Sequence, residues 1–306
     1  MIAARSLTYC WLSAATLLRK VTLGGPMKKP TRISILCCNL FLFLIATSTL
    51  SARQDCSFAC KSIPDENEVL ATIGAPTLAA APKGKTQRVV FWNIYKQRNE
   101  TFDQDFRNLT KNASFLGLSE SALNQTHITQ LKRLNTWKHY HAANFFLKNE
   151  VRTGVLVGSP YQAKSYGWNR TKELEPFVKA PKTQVWAKYA IEGSTDTLLI
   201  ASIHGINWDG DASFQNQLNL MRSVFKAHKG PIIYGGDFNT KNANRNTIAK
   251  RFAAEFGMTQ VAFPGRKSGT DYLDHVFVRN IKVVQAQELN QVMGSDHKPL
   301  FLDFVM

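Results

Sequence analysis

Short apolar runs, rich in β-branched and aromatic residues, alternate with amphipathic stretches from about residue 86 to the end of the sequence. Runs bounded by turn residues are typical of strands, and several are apolar on both faces, which indicates sheets covered on each side by another layer. The predicted strands are residues 88–92, 115–118, 154–158, 184–191, 197–203, 231–234, 272–278, 281–286 and 299–304. The predicted helices are roughly residues 101–111, 126–134, 212–228 and 243–256. This alternation predicts an α/β fold with two packed sheets flanked by helices.

Polar residues stand at the ends of most of these runs. In chain order they are Asn93, Glu120, His204 followed by Asn207, Asp237 followed by Asn239, Asp274, and Asp296 with His297. Each one alone is more typical of a turn residue, a helix cap or a structural histidine. Because strands that run the same way bring their ends to one edge of a sheet, we expect these side chains to converge in one site.

The chemical character of this set is that of a site for a hard cation. Carboxylate and amide oxygens prefer Mg²⁺, Mn²⁺ or Ca²⁺ to zinc. Hydrolysis of a phosphate diester needs a cation that neutralises developing charge, a carboxylate that activates water and a group that helps the leaving oxygen depart. The sequence has no Gly-rich phosphate loop, no nucleophile elbow and no dinucleotide fingerprint, which argues against nucleotide triphosphate use and acyl transfer.

The polar positions lie within motifs that resemble those of the endonuclease/exonuclease/phosphatase superfamily, which includes DNase I-like nucleases, inositol polyphosphate phosphatases and sphingomyelinases. The resemblance covers about residues 86–306. The motifs are Trp92-Asn93-Ile94, Ser119-Glu120, Ile203-His204-Gly205-Ile206-Asn207, Gly236-Asp237-Phe238-Asn239, Leu273-Asp274-His275-Val276-Phe277 and Ser295-Asp296-His297-Lys298-Pro299. The longer string Trp92-Asn93-Ile94-Tyr95-Lys96-Gln97 is particularly similar to the bacterial YafD-like branch. The resemblance implies a DNase I-like four-layer α/β sandwich of two packed mixed β-sheets flanked by helices.

The resemblance also implies roles on the metal side of the site. Glu120 would be the principal metal ligand, with Asn93 beside it and Asp296 at the edge of the metal site. Asp237 would orient or deprotonate the attacking water, and Asn239 would contact the scissile phosphate. The implied cofactor is Mg²⁺, with Mn²⁺ or Ca²⁺ as alternatives.

On the phosphate side, the resemblance implies that His297, hydrogen-bonded to Asp274, holds the phosphate and stabilises its transition-state charge. His204 would lie on the leaving-group side, with Asn207 on a phosphate oxygen. The sequence departs from the family pattern in two ways. Ser119 stands where many members have glutamine before the metal-binding glutamate, and no carboxylate that would orient His204 can be identified.

Residues 1–52 have the features of a leader. Lys28, Lys29 and Arg32 precede an apolar stretch at residues 35–46, which is short for a membrane span and is followed by small residues suited to cleavage. Met27 stands directly before the basic start, which indicates that residues 1–26 are an over-extended start. A cleaved leader predicts an exported protein, periplasmic or secreted, whereas an uncleaved one predicts a membrane anchor.

Residues 53–85, which contain several prolines, are expected to be an irregular lead-in to a single domain at residues 86–306. Cys56 and Cys60 are the only cysteines after the leader. A disulfide between them and two unpaired thiols are both compatible with the sequence. A thiolate metal site or a cysteine nucleophile within residues 86–306 is excluded.

The charge of the chain favours a polyanionic partner. The formal net charge is +16, and the part after the leader still carries an excess of basic over acidic residues. Nucleic acid and an anionic lipid surface both fit this excess. The region around Lys164, Arg170, Lys172, Lys179 and Lys182, with Tyr166 and Trp168 for stacking, is a candidate nucleic-acid contact or a solvated loop.

We therefore expect a divalent-metal-dependent phosphodiester hydrolase, with an exported DNase-like endonuclease as the first hypothesis. A phospholipid, sphingomyelin or inositol-phosphate phosphodiesterase or phosphatase is the alternative. A non-catalytic nucleic-acid-binding module on the same fold is the third. We expect a monomer that meets a membrane only through an uncleaved leader.

Overall fold

The computed structural model describes residues 53–56, 60–266 and 272–306. The predicted leader at residues 1–52 lies outside the described residues. Within them, no helix is both long enough and apolar enough to cross a bilayer. The strands are β1 (Cys60–Ser62), β2 (Leu70–Gly74), β3 (Gln87–Asn93), β4 (Phe115–Ala122), β5 (Lys138–Leu147), β6 (Arg152–Ser159), β7 (Ala163–Arg170), β8 (Thr183–Ala190), β9 (Thr197–His204), β10 (Ile232–Asp237), β11 (Thr259–Gln260), β12 (Asp274–Arg279), β13 (Lys282–Glu288) and β14 (Leu300–Val305). The α-helices are α1 (Phe102–Thr110), α2 (Gln125–Arg133), α3 (Asp211–Asn219), α4 (Arg222–Ala227) and α5 (Ala243–Glu255).

The strands form two mixed sheets. Among the described residues, the first sheet has the order β1-β5-β6-β4-β3-β14-β13, with β2 also paired to β5. The second has the order β11-β12-β10-β9-β8-β7. The β3–β4 pair in the first sheet and the β9–β10 pair in the second are parallel, and both pairs lie inside their sheets. Within each pair, the carboxyl ends of the two strands therefore lie side by side.

The two sheets pack face to face, and helices cover their outer faces. The core between the sheets includes Phe91 from the first sheet and Val185 and Ile233 from the second. Phe102 of α1 and Leu131 of α2 pack on the outside of the first sheet, in the cluster that contains Trp92. Apolar residues of α3, α4 and α5 pack on the outside of the second sheet. The predicted four-layer α/β sandwich of two packed mixed sheets flanked by helices is therefore confirmed.

Each predicted strand is present, although several ends differ by a few residues. Within residues 86–306, strands β5 and β7 and the two-residue strand β11 were not predicted. Buried polar residues interrupt the apolar pattern of β5, and one of them, Asn144, accepts hydrogen bonds from the backbone N–H and the hydroxyl of Thr183 in the other sheet. Strand β7 lies at an edge of its sheet and is largely exposed, so it has little apolar character.

The prediction of one continuous helix at residues 212–228 is wrong, because the structure has two helices there. This segment is divided into α3 and α4, because Leu220 and Met221 donate to carbonyls only three residues back. The backbone carbonyl of Gln217, which accepts the bond from Leu220, also accepts one from the Gln184 side chain at 2.7 Å. This shared acceptor lies where the helical hydrogen-bond pattern tightens.

The prediction of an irregular lead-in at residues 53–85 is also wrong. This segment contains β1 and β2, and β2 pairs with β5 from Leu70 opposite Ala142 to Gly74 opposite Lys138. The segment therefore extends the first sheet and belongs to the same compact unit as the rest of the described chain. Cys56 and Cys60 form a disulfide, with their Cα atoms 5.5 Å apart.

The contact between the sheets depends on close packing around Phe91. Its ring lies against Gly117 of its own sheet and Gly235 of the other, and a Cβ atom on Gly235 would stand 2.7 Å from the ring. Gly235→Ala should therefore lower the free energy of unfolding by about 1–3 kcal/mol, the usual effect of an overfilled core. Urea unfolding would measure this change.

Phe91→Leu provides the control for this prediction, since it removes part of the ring that the new methyl group would meet. The Gly235→Ala change should be less destabilising in the Phe91→Leu background than in the wild type. Equal effects in both backgrounds would show that the ring is not what excludes the methyl group.

Candidate active site

The strand ends of both sheets meet at one site. In the second sheet, the register places Asp237 of β10 beside His204 of β9 on one side and Asp274 of β12 on the other. In the first sheet, β3 ends at Asn93, which pairs with the residue before Glu120 on β4. The side-chain amide of Asn93 donates to Oδ2 of Asp237 at 2.9 Å, which joins the two sets of strand ends directly.

Glu120 projects from an irregularity in its strand. Between the pairs Leu118–Leu156 and Ser121–Gly154, β4 has one more residue than β6, and Glu120 has a φ of 51°. A bulge of this kind re-aims a side chain. The Ser119 hydroxyl donates to the carbonyl of Ile203 at 2.9 Å, so this serine fastens β4 to β9 of the other sheet. Ser119 therefore supports Glu120 by holding the backbone of β4 in place.

Asp237 is the most enclosed carboxylate of the site, with 1% of its surface exposed. Besides the Asn93 amide, the backbone N–H of Asn239 donates to its Oδ1 at 2.9 Å. Nε2 of His204 lies 3.6 Å from Oδ2, and Nε2 of His297 lies 3.9 Å from the same atom. Burial, together with the nearby charge of Asp274, raises the pKa of Asp237 to about 7, although His297 and the hydrogen bonds oppose this.

His297 is held by its side chain and its backbone. Its Nδ1 lies 2.7 Å from Oδ2 of Asp274, and its carbonyl accepts from the Trp92 indole at 3.0 Å. Burial alone would lower the pKa of His297, but the hydrogen bond to Asp274 and the charges of Asp274 and Asp237 raise it to about 10. The imidazole is therefore protonated at neutral pH and presents a positive charge next to Asp237.

Glu120 faces cationic side chains. The ammonium group of Lys96 forms an ion pair with its carboxylate. Burial would raise the pKa of Glu120, yet the nearby ammonium groups of Lys96 and Lys182 hold it below its usual value. Lys96 lies in a stretch from Tyr95 to Gln97 in which all three residues have positive φ values, an uncommon backbone that brings the lysine toward Glu120.

His204 contacts a buried ion pair that the sequence analysis missed. Nζ of Lys182 lies 3.1 Å from its Nε2, and Oε1 of Glu175 lies 3.4 Å from the same ammonium. Glu175 also accepts from the backbone N–H of Asn207 at 2.8 Å. Burial and then the charge of Lys182 lower the pKa of His204 well below 6.5, so this imidazole is neutral at neutral pH.

Neither member of this pair had a specific signal in the sequence. Lys182 was grouped with surface lysines as part of a candidate nucleic-acid contact, but its side chain is buried against His204. In that same group, Tyr166 stacks on Tyr140 with 4.3 Å between the ring centroids. No carboxylate that would orient His204 could be identified from the sequence; the structure places Lys182 beside the ring with Glu175 behind the lysine, and Oδ2 of Asp237 lies 3.6 Å from Nε2 of His204.

The remaining predicted residues occupy the border of the site. Asn239 has a φ of 52°, and its side-chain amide donates to the carbonyl of Gly205 at 2.8 Å, which fastens the loop after β10 to the loop after β9. Asn207 is partly buried in the latter loop. Asp296 is exposed and accepts from the Ser295 hydroxyl at 3.2 Å. The assigned roles of these residues stay predictions.

The donor set fits a hard divalent cation. Asp237, Asp274 and His297 offer ligand atoms within 4.8 Å of one another, but a protonated His297 bound to Asp274 does not coordinate a metal. The Glu120 carboxylate is ionised and forms an ion pair with the Lys96 ammonium. The Asn93 amide oxygen accepts from the Tyr95 N–H at 3.1 Å, and Asn93 pairs in register with Ser119, the residue before Glu120. We therefore favour Glu120 and Asn93 over His297 as ligands.

The protonation of His297 provides a test of this arrangement. In metal-free protein, NMR titration of the imidazole should show it protonated well above pH 8, and Asp274→Asn should lower its pKa by more than one unit. Because the folded-state pKa is raised, the stability from this pair is fully present below pH 6.5 and lost as the pH rises through about 10.

The unfolding free energies of the wild type and Asp274→Asn should consequently differ most near pH 6 and converge toward pH 10. His228, whose ring nitrogen contacts the backbone carbonyl of Pro231 at 3.0 Å, serves as the internal control, since its titration should not respond to the substitution. Titration of His297 near pH 6.5 in the wild type would contradict the assignment.

The chain resembles known proteins over most of its described length. A UPF0294 protein from Vibrio campbellii is 28% identical over 235 residues, which cover 71% of this chain and 77% of the relative. The human Nocturnin catalytic domain is similar in structure, with a TM-score of 0.57, 17% identity, and coverage of 77% of this chain and 96% of that one. Danio rerio TDP2, solved with a single-strand DNA product, has a TM-score of 0.50 at 13% identity, covering 72% of this chain and 100% of that one.

The profile of the Endonuclease/Exonuclease/phosphatase family matches residues 90–297, which is more than half of the chain and includes every predicted site residue. The Vibrio relative confirms the YafD-like resemblance. This chain therefore belongs to the Endonuclease/Exonuclease/phosphatase family.

Proposed function

We propose that the protein is a divalent-metal-dependent phosphodiester hydrolase and that its substrate is nucleic acid. One observation carries the first part of this proposal. A buried carboxylate with a pKa of about 7, Asp237, lies between an amide, Asn93, and a protonated imidazole, His297, which is itself fixed by Asp274. This arrangement combines a proton acceptor with a fixed positive charge, which are the two functions that attack of water on a phosphate diester requires.

Asp237 would accept the proton of the attacking water. Its raised pKa suits this task, because a base with a pKa near the working pH combines proton affinity with a sufficient ionised fraction. His297 would hold a non-bridging phosphate oxygen and stabilise the negative charge that grows there. Asp274 would keep the His297 imidazole oriented and protonated during the reaction. A divalent cation held by Glu120 and Asn93 would supply further neutralisation of the phosphate.

On the leaving-group side, positive charge would come from Lys182. His204 is neutral, so it does not provide the histidinium that sequence reasoning associated with departure of the leaving oxygen. The ammonium of Lys182 lies 3.1 Å from His204 and is held there by Glu175. We infer that Lys182 and His204 act together. His204 would face the departing oxygen, and the positive charge of the adjacent Lys182 would stabilise the negative charge that develops on that oxygen.

Nucleic acid is favoured as the substrate because the chain after the predicted leader still carries a net charge of +10, from 32 basic and 22 acidic residues, which attracts a polyanion. The leader predicted at residues 1–52 and the Cys56–Cys60 disulfide both support export to an oxidising compartment. We propose that the protein acts there as a monomer, periplasmic or secreted if the leader is cleaved and anchored to the membrane if it is not.

The test is a hydrolysis assay with plasmid DNA, RNA, sphingomyelin and inositol phosphates, each with Mg²⁺, with Mn²⁺ and with EDTA. The nucleic acids should be cleaved only with a metal ion, and Asp237→Asn should reduce turnover by about 100-fold or more, since it removes the general base. Circular dichroism would verify that the variant is folded.

Asp196→Asn is the matched control, because it removes an exposed carboxylate at the opposite end of β9 and should leave turnover unchanged. Cleavage that persists in EDTA or in Asp237→Asn would refute the mechanism. Hydrolysis of sphingomyelin or an inositol phosphate without cleavage of nucleic acid would keep the mechanism but assign the substrate to the alternative class.

A further inference from the structure

We infer that Phe177 and Trp208 form an aromatic platform that stacks an unpaired base next to the scissile phosphate, so that the preferred substrate is single-stranded nucleic acid. This inference rests on the proposed function, since it names the form of nucleic acid that the same site accepts. The platform is defined by these two side chains, with Lys241 beside them.

The platform is unusual because two large aromatic side chains are exposed together. Phe177 is 66% exposed and Trp208 is 60% exposed. Their ring centroids lie 5.9 Å apart with an angle of 84° between the planes, and Nζ of Lys241 lies 4.7 Å from the centroid of the Trp208 ring. Such rings present apolar surface to water, which a bound base would cover.

Each member of the platform follows a residue at the border of the catalytic site. Trp208 comes directly after Asn207, Phe177 comes two positions after Glu175, and Lys241 comes two positions after Asn239. Hydrogen bonds connect Glu175 and Asn239 to the loop after β9 that contains Asn207. Glu175 accepts from the Asn207 backbone at 2.8 Å, and Asn239 donates to the carbonyl of Gly205 in the same loop as Asn207. The platform therefore adjoins the residues expected to contact the phosphate.

A buried arginine braces the loop that carries Trp208. Arg245 of α5 is 1% exposed, and its guanidinium donates to the carbonyls of Ile206 and Asp209, on either side of the tryptophan, at 2.5 Å each. It also donates to the carbonyl of Asn239 at 3.2 Å. The same side chain thus fixes the loop after β9 and the loop after β10. An exposed ring on a braced loop loses little conformational freedom when it binds a ligand.

The chemistry of the platform selects an unpaired base. Stacking of a base on an aromatic side chain contributes about 1–3 kcal/mol and tolerates any base. In a duplex both faces of each base are already stacked, so a base must be extruded before it can reach the platform. Lys241 adds a cation that can pair with a neighbouring phosphate.

The surroundings of the platform favour a base over a lipid. Exposed lysines, Lys172 and Lys179, lie on the same loop as Phe177, and Asp209 directly follows Trp208. A surface that enters a bilayer needs a wider apolar area without acidic neighbours, because burial of a charge in lipid is unfavourable. A base attached to a phosphate chain matches this combination of two aromatic rings and nearby cations.

The experiment measures binding by fluorescence anisotropy in EDTA, where no hydrolysis is expected. The probes are a labelled twelve-nucleotide oligothymidylate, an abasic oligonucleotide of the same length and charge, and a duplex of the same length. The wild type should bind the oligothymidylate about tenfold more tightly than the abasic probe or the duplex. Trp208→Ala should reduce this preference to near unity, and Trp208→Phe should retain most of it.

Val284→Ala is the matched control, since Val284 is 54% exposed on β13 and does not belong to the platform. It should leave the preference unchanged. Equal binding of the base-containing and abasic probes by the wild type would overturn the inference. A Trp208→Ala variant that keeps the preference for bases would also overturn it. If Trp208→Ala kept that preference but lost binding to phosphatidylglycerol vesicles, the platform would be assigned to a lipid surface instead.

These outcomes are distinct from failure of the proposed function. Metal-dependent cleavage of nucleic acid together with no preference for bases would retain the function and refute the platform. A base preference that depends on Trp208, observed without any phosphodiester cleavage, would refute the hydrolase and support the platform as a nucleic-acid-binding surface.

Discussion

The site depends on how the negative charge of Asp237 is compensated inside the protein. This carboxylate is almost fully buried where the ends of the two sheets meet, and an isolated charge in that environment would be strongly destabilising. Its compensation comes from separate parts of the chain: the Asn93 amide from the first sheet, the Asn239 backbone from the loop after β10, and the His297 imidazolium that Asp274 holds. The partial raising of its pKa to about 7 shows that compensation is incomplete, which is what a base requires.

The sandwich positions these groups by combining regular and irregular backbone. The central strands β3, β9 and β10 deliver their last residues by simple register. Glu120 and Asn239, in contrast, have positive φ values, an arrangement that costs energy for residues other than glycine. The surrounding packing must supply that energy, and Phe91 between Gly117 and Gly235 indicates how closely the two sheets are fitted beneath the site.

Much of the fold and the site could be predicted from the sequence, because strands that are apolar on both faces have a clear pattern and the polar residues at their ends occur together in motifs that resemble those of a known family. The family resemblance implied the hydrogen bond between Asp274 and His297, and the structure contains it at 2.7 Å. Strand β5 was missed because its buried polar residues, such as Asn144, are satisfied by partners distant in sequence. The Glu175–Lys182 pair was missed for the same reason, since only the folding of their loop brings both to His204. The Phe177–Trp208 contact likewise joins two loops.

The central claim is that strand ends from two sheets form one site for a hard divalent cation. Calorimetric titration of Mn²⁺ into the wild type and into Glu120→Gln tests it most directly, with Glu192→Gln as a control at an exposed carboxylate on the turn after β8. We predict that the wild type and the control bind Mn²⁺ with the same affinity and that Glu120→Gln binds at least tenfold more weakly. Equal affinity of Glu120→Gln and the wild type would contradict the account.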